Sequence, residues 1–153
     1  MDRLDLARNA LSVMKGKDEE AVLTQLTAVQ INLYVGRSEV NDAIHTLGSL
    51  TEQYGNSPML LNLTAAAYLV AGQYENAERV LTEAISEEAD VGSSSDTLIN
   101  LVVCYQHLGK GMDVILPVLE QLKGGYPDHP FVQGLTRVES AFERETAKYK
   151  VAA

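Results

Sequence analysis

Residues 58–89 read PMLLNLTAAAYLVAGQYENAERVLTEAISEEA, and this stretch decides the fold. Two apolar runs, 59–71 and 77–85, flank the turn Ala71-Gly72-Gln73-Tyr74. In the first run Leu61, Ala65, Tyr68 and Leu69 recur at steps of three and four, and in the second Ala77, Val80, Leu81 and Ala84 do the same. That spacing puts apolar side chains on one face of a helix, so the unit is an antiparallel helical hairpin. Ala65 and Ala77 are small and leave room for the two helices to approach. A single hairpin cannot bury its apolar face, so neighbours of the same kind are required.

The neighbours lie on both sides. Upstream, residues 21–35 form a first helix ended by Gly36, and a second helix starts at Ser38 and carries Ala43, Leu47 and Leu50. Ala77 follows Ala43 by 34 residues. Downstream, Asp90 to Ser95 is a loop with Gly92 and serines, which lengthens the next period. Then 97–108 is a first helix with Leu98, Leu101, Val102 and Tyr105 on the pattern and Gly109 at its turn. Its partner, 113–123, contains Pro117; with Asp113 as the cap, that proline forfeits only a first-turn bond. At the start, Leu4, Ala7, Leu11 and Met14 have the spacing of a second helix whose first helix is absent, so the pattern predicts that more protein precedes Met1. Gly16 is expected to end this helix and Asp18 to cap the next, with Asp18-Glu19-Glu20 favoured by the helix dipole. After the turn-rich Gly124 to Pro130, a final helix over 131–148 places Phe131, Leu135, Val138 and Phe142 on one face, with Arg137, Glu139, Glu143, Arg144, Glu145 and Lys148 elsewhere. It reads as a cap with a wet outer side, and 151–153 as a fraying end.

The period and the residues resemble the tetratricopeptide repeat. Leu61 matches its large apolar position, Ala65 the small one and Tyr68 the aromatic; Gly72 and Tyr74 match the turn, and Ala77, Leu81 and Ala84 the second helix. Ala43 and Tyr105 occupy the corresponding packing places in the flanking repeats. The resemblance implies an all-α solenoid, a right-handed superhelix of about three and a half antiparallel hairpins. It would be a single domain with repeats at about 1–16, 17–56, 57–92 and 93–127 and a capping helix at about 128–148.

Charge is divided unevenly between the helices of each hairpin. Residues 21–36 and 57–74 contain no charged residue, and 97–109 contain only His107. The repeat family implies that first helices line the concave surface. The inward positions would be Leu23, Leu26, Gln30, Leu33 and Tyr34, then Met59, Asn62, Ala66, Leu69 and Val70, then Asp96, Ile99, Val103, Gln106 and His107. A helix apolar nearly all round is buried on more than one side. Either neighbouring repeats do this, or a partner segment fills an inner groove formed by Leu23, Leu26, Leu33, Tyr34, Met59, Asn62, Ala66, Leu69, Val70, Ile99 and Val103. No Lys or Arg lies on a first helix, which removes the clamp that some adaptors of this class close on a peptide carboxylate.

The chain has 153 residues, a net charge of -9 and one cysteine. The charge disfavours nucleic acid and anionic lipid, the single cysteine excludes an internal disulfide framework, and no apolar run reaches the roughly 20 residues that cross a bilayer. Soluble and intracellular is the resulting expectation. Cys104 and His107 stand three apart on one helix, but no second pair completes a metal site. His45, near Asp42, reads as a surface residue, and Glu87-Glu88 as solvated helix-end charge. No phosphate loop or nucleophile elbow is present. The reading is a binding module with no enzymatic activity and no cofactor.

A more specific likeness runs through the chain in order. Asp2-Arg3-Leu4-Asp5-Leu6-Ala7-Arg8, Leu23-Thr24-Gln25-Leu26, Asn41-Asp42-Ala43 and Asn56-Ser57-Pro58-Met59-Leu60-Leu61-Asn62 resemble the C-terminal half of the coatomer epsilon subunit family. So do Thr97-Leu98-Ile99-Asn100-Leu101, Gln106-His107-Leu108-Gly109-Lys110, Gln121-Leu122-Lys123 and His129-Pro130-Phe131. The likeness departs at Gly92 to Ser95 and at Pro117. It implies a non-catalytic component of the COPI coat in Golgi-to-ER and intra-Golgi transport, cytoplasmic and peripheral on Golgi membrane and coated vesicles. It also implies a partner, the C-terminal region of the coatomer alpha subunit, held within the superhelix, and indirect contact with the rest of coatomer. The alternative is a generic repeat adaptor for short peptides.

Overall fold

A computed structural model describes residues 3–89 and 92–149. These residues form eight α-helices and no strand: α1 Leu4–Lys17, α2 Val22–Val35, α3 Glu39–Tyr54, α4 Pro58–Val70, α5 Tyr74–Glu87, α6 Ser95–His107, α7 Met112–Gly125 and α8 Pro130–Ala147. The hairpins α2/α3, α4/α5 and α6/α7 pack internally, α3 packs on α4 and α5 on α6, and the first helices touch one another, α2 to α4 and α4 to α6. This is the solenoid expected from residues 58–89. Met1, Asp2, Asp90, Val91 and the expected fraying end 151–153 lie outside the described residues.

The helix ends follow from local chemistry. Ser57 and Ser94 each accept a bond from the backbone N–H three residues on, of Leu60 and Thr97, satisfying one orphan donor at the start of α4 and α6. Pro58 then occupies the first position of α4, where no N–H is needed. At the hairpin turns Gly72 and Gly109 adopt φ of 73° and 67°, which lets the N–H of Gln73 reach the carbonyl of Tyr68 at 2.8 Å and that of Lys110 reach Tyr105 at 2.9 Å. A side chain at either glycine would strain this cap.

Three expected boundaries change. Gly16 lies inside α1, which continues to Lys17. Asp18 is not the N-cap residue of α2, but its Oδ1 accepts from the N–H groups of Glu20 and Ala21 at 3.0 and 3.1 Å and so shapes the entry to that helix. The cap of α7 is Gly111, not Asp113, which places Pro117 in the helix interior. Pro117 therefore costs α7 an internal bond to the carbonyl of Asp113.

Ala43, Leu47 and Leu50 pack with Val29, Leu60 and Ala67, joining α3 to α2 and α4. Leu61, Ala65, Ala77, Leu81 and Ala84 pack with Leu101 and Cys104, and Tyr68 and Tyr105 close the edge. A third, smaller cluster of Leu98, Leu122 and Val132 ties α8 to α6 and α7. Each fully buried leucine contributes about 1.5–3 kcal/mol, and the alanines at the hairpin contacts keep the helices close.

Candidate partner-binding groove

The first-helix positions Thr24, Leu60 and Thr97 are all buried and each stands one residue after the expected inward edge of its helix; Val132 of α8 is buried likewise, after Phe131. They set a common frame. Counting from Leu60 gives Met59, Asn62, Ala66, Leu69 and Val70; the same steps from Thr24 and Thr97 give the residues expected on α2 and α6. Several of these stay open to solvent: Leu23 is 72% and Met59 57% exposed, and Tyr34 and Val70 are also exposed. Packing between repeats therefore does not consume the apolar face of the first helices.

Between α2, α4 and α6 lies a hollow of about 560 Å³ that brings Leu26, Met59, Asn62, Ala66 and Ile99 together with Gln30 and Asp96. The remaining expected residues are distributed around it. Tyr34 lines a separate hollow with Arg3 and with Leu4 and Ala7 of α1. Leu33 and Leu69 are half-buried against the core clusters, Val103 is half-buried, and Gln106 and His107 are exposed.

Asn62 differs from a contact residue, because it is buried and its amide is already engaged. Nδ2 donates to the carbonyl of Pro58 at 2.9 Å and to Thr97 Oγ1 at 2.8 Å, while Oδ1 accepts from Asn100 Nδ2 at 3.1 Å. Thr97 Oγ1 in turn donates to Glu88 Oε1 at 3.1 Å, and Glu88 Oε2 accepts from the N–H of Ser94 at 3.0 Å. Glu88 is only 3% exposed, which overturns its reading as solvated helix-end charge. It lies just after α5 and before the N-terminus of α6, where backbone N–H groups and the helix dipole favour an anion. Sequence reading misses Glu88 and Asn100, because nothing in a run of two glutamates tells which one folds inward.

Helix α8 shows the clearest difference from expectation. Its one fully buried residue is Val132, on Leu122 and Leu98, while the face expected to turn inward is open: Val138 and Phe142 are 67% and 72% exposed, and Phe131 is exposed too. Lys123 of α7 pairs with Glu139 of α8 at 2.7 Å in an exposed contact. The frame explains this. Counted from Val132, the inward positions are Phe131, Gly134, Val138, Ala141 and Phe142, so α8 carries an open apolar face like that of a first helix, beside the expected exposed polar side of Arg137, Glu143 and Arg144. The sequence held a signal: a capping side chain followed by proline opens both α4, at Ser57-Pro58, and α8, at His129-Pro130, where His129 Nδ1 accepts from the N–H of Phe131.

Cys104 and His107 do not converge. The buried Cys104 thiol donates to the carbonyl of Tyr74 at 3.3 Å, and burial, reinforced by the Glu78 carboxylate, pushes it up to about 11. The His107 ring stacks on Tyr74, centroids 4.5 Å apart. His45 is exposed, as expected. Among the described residues no helix is long and apolar enough to cross a membrane.

Residues 1–150 match the family described as coatomer epsilon subunit. The chain belongs to this family. It is 37% identical over 144 residues to coatomer subunit epsilon-1 of Arabidopsis thaliana, covering 94% of this chain and 47% of that protein. It is 33% identical over 150 residues to coatomer subunit epsilon of Dictyostelium discoideum, covering 97% and 49%. The Caenorhabditis elegans coatomer subunit epsilon is 28% identical over 144 residues, covering 94% and 48%. The chain spans about half the length of the curated relatives it matches. Family membership accounts for the ordered likeness from Asp2 to Phe131.

Proposed function

We propose that this chain is part of a non-catalytic scaffold subunit of the COPI coat, and that its first-helix face holds the C-terminal region of the coatomer alpha subunit. The observation that carries this reading is the open, uncharged face of α2 and α4, with Leu23, Tyr34, Met59 and Val70 exposed. Apolar surface of this kind marks an interaction site. Phe131, Val138 and Phe142 of α8 fall at the corresponding positions of the frame and add exposed apolar surface of their own. Repeats at about 17–56, 57–92 and 93–127 supply the scaffold. In this reading the protein works in the cytoplasm, peripheral on Golgi membrane and coated vesicles, and reaches the rest of coatomer through the alpha subunit.

The test is co-elution of the purified chain with the C-terminal region of the alpha subunit on size exclusion. A single peak that persists at high salt supports the reading. Separate peaks at micromolar concentration overturn it, and capture of unrelated short peptides with equal affinity would favour a generic adaptor.

A further inference from the structure

The hollow between α2, α4 and α6 has a one-sided electrostatic character. Among the described residues its charged linings are two carboxylates, Glu88 and Asp96, and no Lys or Arg lines it. Within the same residues neither acid takes part in an ion pair. Among the described residues Glu88, 3% exposed, is held by neutral donors alone, the Thr97 hydroxyl and the Ser94 N–H. Behind Thr97 the network continues through neutral groups, Asn62 donating to the Thr97 hydroxyl and accepting from Asn100. Hydrogen bonds hold such a carboxylate in place without cancelling its charge, and its field acts on the hollow through a poorly screening, largely apolar wall.

We propose that the occupant of this hollow is an apolar partner segment bearing one lysine or arginine, whose cationic head enters between Leu26, Met59 and Ile99 to pair with Glu88 and Asp96. The proposal rests on the groove reading and names the chemistry of the segment that fills it. An acidic segment is repelled at this point. A purely apolar one would shut the exposed Asp96 away from water and leave the already buried Glu88 without an opposite charge, which costs more than burying them paired. A long basic side chain satisfies both demands, because its methylene stem lies along Met59 and Ile99 while its head reaches the acids. The polarity is the reverse of a carboxylate clamp, in keeping with the absence of Lys and Arg from α2, α4 and α6.

The experiment measures, by calorimetry at low and high salt, binding of the C-terminal region of the alpha subunit to the chain and to its Asp96→Asn, Glu88→Gln and Met59→Asp variants. Asp96 is exposed, so Asp96→Asn keeps the fold and carries the test even if Glu88→Gln is destabilised; thermal unfolding checks both. The expected result is affinity weaker by about threefold for Asp96→Asn and about tenfold or more for Glu88→Gln, with a flatter salt dependence in each. Wild-type affinity and salt dependence in both variants, with Met59→Asp alone failing to bind, overturns the basic occupant and leaves the groove standing. Wild-type binding by Met59→Asp overturns the groove reading, and absence of binding by the unmodified chain overturns both.

Discussion

Helices α4 and α5 are the two halves of one hairpin and share one core, yet their solvent faces differ in kind. On α5 the outward residues include Glu75, Asn76, Arg79, Thr82 and Glu87, as usual for a helix with one side in water. On α4 the outward residues include Met59 and Val70, and the helix carries no charge. The inner faces of both helices are consumed by the same cluster around Ala65, Ala77 and Leu81. Folding thus accounts for the inside of both helices and for the outside of α5, but not for the outside of α4. That remaining apolar surface is what the functional reading explains.

The contrast breaks if the shared interior is not what holds the hairpin. Leu81→Ala, at a position with no exposure, is expected to cost about 2–5 kcal/mol in denaturant unfolding; a loss below about 1 kcal/mol would contradict the shared core. Next in size is Pro117, the point where a second helix departs from the α5 pattern. Pro117→Ala restores a donor toward the Asp113 carbonyl and is expected to stabilise the protein by about 1–3 kcal/mol, read as a raised midpoint.

Cys104 reports on the α5/α6 contact. Its thiol is raised from 9.0 in the unfolded chain to about 11. The unfolded state therefore loses its proton first, so stability is unaffected below about pH 9 and declines as pH rises toward 11. Cys104→Ala should lack that share of the decline, and alkylation at pH 8 should be slow until the protein is unfolded. The smallest effects are on the outer faces. Met59→Asp and Arg79→Asp should each change stability by no more than about 0.5 kcal/mol, and a larger loss for Met59→Asp would mean that α4 needs its outer face for folding.

Most of the fold is legible in the sequence because its signals are local and periodic. Leu61, Ala65 and Tyr68 at helical steps, glycine at each turn and a 34-residue return of the same alanine position each restrict the chain independently. The site is legible only as a frame. Leu26, Met59, Ala66 and Ile99 converge as the frame implies, but Asn62 turns inward to Thr97, and Glu88 follows it. Those choices depend on which neighbour supplies a hydrogen bond across 9 and 35 residues of chain, and periodicity carries no such information. Periodicity also gives helix α8 the wrong inner face, because Phe131, Leu135, Val138 and Phe142 form the larger apolar stripe; the packing of Val132 on Leu122 decides its rotation instead.

The most direct test of the central claim sets the two outer faces against each other. Affinity for the C-terminal region of the alpha subunit is measured by calorimetry for Met59→Asp and Arg79→Asp, both confirmed folded by circular dichroism. The account predicts at least about a tenfold loss for Met59→Asp, as for a residue buried at an interface centre, and an unchanged affinity for Arg79→Asp. Equal affinities for the two variants would contradict it.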